Sequence, residues 1–153
     1  MTEIKPVVQA EMLIRRPVEE VYEAFIDPEI TTKFWFTKSS GRLEAGRRIR
    51  WDWEMYGVSD EIHVLEIEPN KRIWIESSDG TQTEWSFTSR AEQGAFVTIT
   101  NTGFSGCNED IVNQALDSMG GYTMVLCALK ALLEHGISLN VVSDKAPDAH
   151  VTQ

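Results

Sequence analysis

The sequence predicts an α+β fold: a curved antiparallel sheet of about six strands wrapped around a long C-terminal helix, with two short helices after the first strand. Three observations carry this expectation. Residues 47–102 alternate apolar and polar side chains with a period of two, between short turn signals. Tyr122, Leu126, Leu129 and Leu133 recur at helical spacing. The strand segments follow one another without intervening helices, so short turns join them and neighbours pair antiparallel.

Residues 7–15 read as the first strand. Pro17 then suits a first helical turn, Glu19 and Glu20 complement a helix N-terminus, and Val18, Val21, Tyr22 and Phe25 give 17–26 an apolar face. Asp27-Pro28 ends that helix, and 29–36 reads as a second short one carrying Phe34, Trp35 and Phe36. In 47–56, Ile49, Trp51, Trp53 and Met55 alternate with Arg48, Arg50, Asp52 and Glu54, the pattern of a half-buried strand. Gly57 turns the chain into 58–68, where the apolar phase slips from Ile62 and Val64 to Leu65 and Ile67 and predicts a bulge. Pro69-Asn70, Asp79-Gly80 and Gln93-Gly94 mark the turns between strands 72–77, 82–90 and 95–102. Asn108 is the candidate cap of the last helix, Glu109 and Asp110 occupy its first turn, and Gly136 is its natural stop. Gly120-Gly121 predicts a kink or break within it. Residues 1–139 are expected to form one domain, and the weak periodicity of 140–153 predicts a flexible tail.

A formal net charge of −10 repels a phosphate backbone, and the short basic clusters Arg15-Arg16 and 47–50 do not override it, so nucleic-acid binding is not expected. No stretch reaches the roughly 18 apolar residues of a membrane span, and no membrane insertion is expected. The N-terminus has no basic segment followed by an apolar run, which predicts cytoplasmic residence with Cys107 and Cys127 as free thiols. His63, His135 and His150 fall on a strand, a helix end and the tail, so neither a metal nor another cofactor is expected. Glu109-Asp110 and Asp60-Glu61 read as solvated charges at element starts, and no known catalytic motif is present.

Several segments carry a family resemblance. Residues 17–25 (Pro-Val-Glu-Glu-Val-Tyr-Glu-Ala-Phe), the corner Asp27-Pro28-Glu29, the aromatic run 34–36, the hairpin 64–73, the strand 98–104 and the helix 121–134 occur in the order and spacing of START-like (SRPBCC, helix-grip) domains. The chain resembles the branch of homologues of the activator of heat-shock protein 90 ATPase. Tyr122 stands where that family usually has Trp. The resemblance implies a helix-grip fold, often with an apolar cavity between sheet and helix, and members that bind lipids, polyketides or plant-type aromatic molecules or act as cyclases. A chain of this kind lacks the separate N-terminal domain of the co-chaperone, which argues against a chaperone role.

Strand parity turns Trp51, Trp53, Trp85 and Phe87 inward, with Tyr122, Leu126 and Leu129 opposing them from the helix. The same residues could fill a solid core or line a cavity; the resemblance favours the cavity. Asn101 shares the parity of Val97 and Ile99 and is either the polar group that orients a ligand or a buried amide bonded to nearby backbone. Trp74 should face away. The expected function is binding of a small hydrophobic molecule by Trp51, Trp53, Trp85, Phe87, Asn101, Tyr122, Leu126 and Leu129. The alternatives are a polyketide-cyclase-like enzyme and a protein-interaction module, with an exposed patch at Phe34–Phe36 as a homodimer contact.

Overall fold

The structure is a computed structural model and describes residues 3–151. Its seven-stranded sheet is antiparallel throughout, in the order β1-β7-β6-β5-β4-β3-β2. The strands are β1 (Val8–Ile14), β2 (Lys38–Ser39), β3 (Arg48–Trp53), β4 (Val58–Glu68), β5 (Arg72–Glu76), β6 (Gln82–Ser89) and β7 (Ala95–Thr102). The strand not foreseen from the sequence is β2. Two residues are too few to show a period, and they form a strand only because β3 offers them a partner.

Alternation places Ile49, Trp51, Ile73, Ile75, Trp85, Phe87, Val97 and Ile99 on one buried face. The expected bulge lies in β4. Val64 pairs with Ile75 and Ile67 with Ile73, so the odd step between them keeps both on the inner face. Trp74 faces outward, as its parity requires, with the Arg72 guanidinium 5.0 Å from its ring centre and its indole N–H donating to Gln82 Oε1. Gly94 holds the β6–β7 turn at φ +128°, and a Cβ there would stand 2.1 Å from the Ile14 carbonyl oxygen. Only glycine fits so close to the end of β1.

Helices α1 (Val18–Ile26) and α2 (Pro28–Thr31) cover one part of this face. Phe25 of α1 meets the rings of Phe34, Trp85 and Phe87 at 5.5, 5.8 and 6.1 Å. The second helix is shorter than expected. Asp27 caps it through the Glu29 N–H, and the chain leaves it in turns that bury Phe34 and Phe36 rather than in further helix. Those two rings are therefore core and form no exposed patch.

The long helix α3 (Asn108–His135) rises about 42 Å at 1.5 Å per residue. Its cap is Cys107, one residue earlier than expected, because Asp110 reaches back to the Cys107 N–H and thiol. The helix runs through Gly120-Gly121 without a break. It stops at Gly136, whose N–H bonds Leu132 O while that of Ile137 bonds Ala131 O. Lys130 Nζ, at 2.8 Å from Leu13 O and 2.6 Å from Glu134, ties the helix to β1, and Glu134 also accepts the Arg15 N–H. Burial pushes the Glu134 carboxyl up, but the Arg15 bond and Lys130 outweigh it and hold the group below its ordinary range. One 18-residue window of α3 has mean hydropathy 1.2, and in this fold the helix lies along β1 with Val125, Leu126, Ala128 and Leu129 buried.

Beyond Asn140, where weak periodicity predicts fraying, a short helix α4 (Val141–Asp144) and a turn at Pro147–Ala149 fold back onto the turn that joins β3 to β4. Tyr56 donates its hydroxyl to Val142 O, and the Val151 N–H bonds Met55 O at 2.8 Å. Residues 152 and 153 of that expected tail lie outside the described residues.

Leu129 is fully buried, so Leu129→Ala should destabilise the protein by about 2–5 kcal/mol through lost burial and the void left behind. Arg50 pairs with Asp52 on the solvent face with its side chain 64% exposed, and Arg50→Ala should change stability by no more than about 0.5 kcal/mol. Denaturant melts of the two variants check this; equal effects would contradict the packing described.

Candidate ligand cavity

A cavity of about 750 Å³ lies at one end of the sheet. Asp117, Ser118, Gly121, Tyr122, Met124 and Val125 of α3 form one wall. Trp53, Tyr56 and Val58, around the β3–β4 turn, form another. Trp35 and Asn101 contribute from behind, and Val142, Lys145 and Ala146 border the remaining side, which stays open to solvent. The two helical glycines explain their place in the sequence here. A Cβ on Gly121 would meet nothing within 4 Å, and one on Gly120 would stand 3.8 Å from Lys145 Nζ. They do not bend the helix, and Gly121 adds no side chain to the cavity wall.

Of the residues expected to bind a ligand, Trp53, Asn101 and Tyr122 line this cavity. Trp51, Trp85, Phe87, Leu126 and Leu129 do not. All five are buried in the core, at 5% exposure or less, because α1, Trp35 and Phe36 fill the space in front of the sheet tryptophans. Phe36 stacks on Trp51 at 4.7 Å, and Tyr22 meets Phe87 at 5.6 Å. Parity gave the face of these side chains correctly but not what covers that face.

Trp35 is the aromatic residue that strand and helix patterns missed as a lining group. It lies in a turn segment with no period, and the one signal in the sequence was its place in a run of three aromatics. Its ring touches Trp51 at 4.9 Å, Phe36 at 5.5 Å, Tyr122 at 5.8 Å, Trp85 at 6.0 Å and Trp53 at 6.1 Å. Tyr56, Val58 and the α4 residues were also unforeseen, since the fold-back that joins them spans over 80 residues of sequence.

A short polar chain backs the cavity. Ser118 donates to Asn101 Oδ1 at 2.6 Å, and Asn101 Nδ2 donates to Gln82 O at 2.8 Å and to Thr83 Oγ1 at 3.0 Å. Thr83 Oγ1 and the Tyr122 hydroxyl are 3.0 Å apart. Asn101 thus ties β6, β7 and α3 together, and its amide N–H groups are both used within the protein. The Tyr122 ring faces the cavity while its oxygen is enclosed. Burial pushes its phenol up to about 12; the Thr83 bond opposes the shift, and the charges of Asp60 and Asp79 add to it. The indole N–H of Trp85 is buried with no hydrogen-bond partner among the described residues. No three His, Cys, Asp or Glu side chains converge among the described residues.

The raised phenol pKa has a thermodynamic consequence. The unfolded chain releases this proton from about pH 10, whereas the folded protein holds it until about 12. Folding stability should therefore fall by about 2–3 kcal/mol across that window. Urea melts of wild type and Tyr122→Phe at pH 9 to 12 test it: the variant should lose stability less steeply, and parallel curves would contradict the enclosed phenol.

Residues 15–134 match the family model described as activator of Hsp90 ATPase homolog 1-like protein. Protein SSP2350 from Staphylococcus saprophyticus, a crystal structure, is 33% identical with a TM-score of 0.78, covering 88% of this chain and 96% of that one. DynU16, a protein in the dynemicin biosynthetic locus, is 22% identical with a TM-score of 0.75, over 86% of this chain and 48% of that one. The Aha1 dimer from Colwellia psychrerythraea is 20% identical with a TM-score of 0.72, over 86% and 98%. No curated protein matches the sequence. The match over residues 15–134, together with the Staphylococcus saprophyticus likeness, places the chain in the family of activator of Hsp90 ATPase homolog 1-like proteins, within the START-like fold that its family resemblance implied.

Proposed function

We propose that the protein binds a small, largely apolar molecule in the cavity between α3, Trp35, Trp53 and the returning α4. The observation that carries this reading is the cavity itself. Its volume of about 750 Å³ falls in the range of small-molecule sites, and aromatic rings and aliphatic side chains line it with few polar groups. The fold is consistent with it, since DynU16, which shares it, is described as a protein in the dynemicin biosynthetic locus. A polyketide-cyclase-like enzyme has less support. The polar groups at the back of the cavity are an amide and hydroxyls, and the charged Asp117 and Lys145 both sit on its exposed rim. Native mass spectrometry of the purified protein and quenching of tryptophan emission by fatty acids, flavonoids and polyketides test the reading. Micromolar affinity is expected once association costs are met.

Gly121 allows a sharper check. Gly121→Ala should raise stability by up to about 1 kcal/mol through helix propensity, because its Cβ meets nothing. Gly121→Leu extends into the cavity and should weaken binding about tenfold or more without unfolding the protein. Unchanged affinity in Gly121→Leu would place the ligand elsewhere.

A second reading concerns assembly. Val112, Leu116 and Met119 are spaced four and three residues apart on α3 and are exposed, Leu116 by 66%. This stripe supports a homodimer, and the neighbour from Colwellia psychrerythraea is described as a dimer. Light scattering should give twice the chain mass for wild type and a monomer for Leu116→Glu; a monomeric wild type would overturn it.

A further inference from the structure

Beside the cavity one buried donor has no partner among the described residues, and two hydroxyls share a single contact. Thr83 Oγ1 already accepts from Asn101, and the Thr83 and Tyr122 hydroxyls share one contact between two protons. Whichever of them donates, one hydroxyl proton remains without an acceptor among the described bonds. Trp85 lies two residues along β6 from Thr83 on the same face, and its indole N–H, in a residue 1% exposed, has no partner. A buried donor left unpaired is destabilising, and an acceptor brought to it offsets part of that cost. The rings of Trp35 and Tyr122 lie 6.0 and 6.3 Å from that of Trp85, and both line the cavity.

We propose, resting on the cavity reading above, that the ligand carries a neutral carbonyl oxygen, which passes the Trp35 ring and accepts hydrogen bonds from the Tyr122–Thr83 hydroxyl pair and the Trp85 N–H. A carbonyl suits the site because it accepts without bringing a donor of its own. A carboxylate does not suit it. Among the described residues that line the cavity the one cation is Lys145, on the exposed rim, and a buried unpaired charge is costly. The Tyr122 phenol stays protonated at neutral pH and so remains a donor. Trp35 stands between the cavity and Trp85, half-buried in a turn segment, so the proposed binding includes a shift of its ring when the ligand enters.

The test compares three ligands of one shape on the full chain: 2-acetylnaphthalene, 2-ethylnaphthalene and 2-naphthoate. Affinity comes from tryptophan quenching, and the Trp85 indole proton is followed in nitrogen-15 NMR spectra. The ketone should bind about two- to tenfold tighter than the hydrocarbon, the worth of one net hydrogen bond, and should move the Trp85 resonance downfield when the hydrocarbon does not. Tyr122→Phe, which keeps the ring, should reduce that preference, and this readout stands even if Trp85→Phe fails to fold. Equal affinities with an unmoved Trp85 resonance would overturn the carbonyl and leave the cavity reading intact. Tightest binding by 2-naphthoate would overturn it in favour of an anion. Failure of all three and of the wider library would overturn the cavity reading and this inference together.

Discussion

The structure depends on the wedge that Trp35 makes between sheet and helix. A sheet whose inner face carries Trp51, Trp85 and Phe87 must be covered, and α3 does not cover it all. Five aromatic rings lie within 6.1 Å of the Trp35 ring, from β3, β6, α3 and the neighbouring turn. Such tilted and edge-on contacts each add about 0.5–1.5 kcal/mol to simple burial. The indole at this point fills the space before Trp51 and Trp85 and, on its far side, becomes a cavity wall. The solid core and the cavity are two sides of one residue.

Polar groups near the cavity join elements before they meet any ligand. Asn101 is held by Ser118 of α3 and by Gln82 and Thr83 of β6, so it fixes the helix over the β6–β7 pair. An amide so occupied costs little to bury and has no N–H left to orient a ligand. The donors in surplus are the hydroxyl pair and the Trp85 indole, further inside. The burial that raises the Tyr122 pKa also makes an unpaired donor expensive, since weak solvation acts on both.

The C-terminal return completes the site. Tyr56 and the Met55 carbonyl hold residues 142–151 against the β3–β4 turn, and His150 reaches Ser143 O at 2.7 Å. Without that return, Trp53 and Tyr56 would border an open groove. Gly120-Gly121 in α3 lies beside it: a Cβ on Gly120 would only touch Lys145 Nζ at 3.8 Å, whereas a long side chain at Gly121 would extend into the cavity.

The sequence by itself determined the elements and their faces. Period-two alternation is a local property, so it fixed which side chains of β3, β5, β6 and β7 point inward, the slip in β4, and Trp74 as an outward residue. Helical spacing and Gly136 set the extent of α3 to within a residue at its start. Tertiary structure decided what each face meets. The distinction between Trp53, at the cavity, and Trp51 and Trp85, in the core, rests on α1, Trp35 and Phe36, which arrive from a distant part of the chain, the last two from a turn with no periodic signal. The role of Asn101 likewise follows from which groups lie within 3 Å of its amide, and the last wall of the cavity from a contact between residues 56 and 142. Alternation and helical spacing are written in neighbouring residues, whereas a cavity is the space left between segments that only folding brings together.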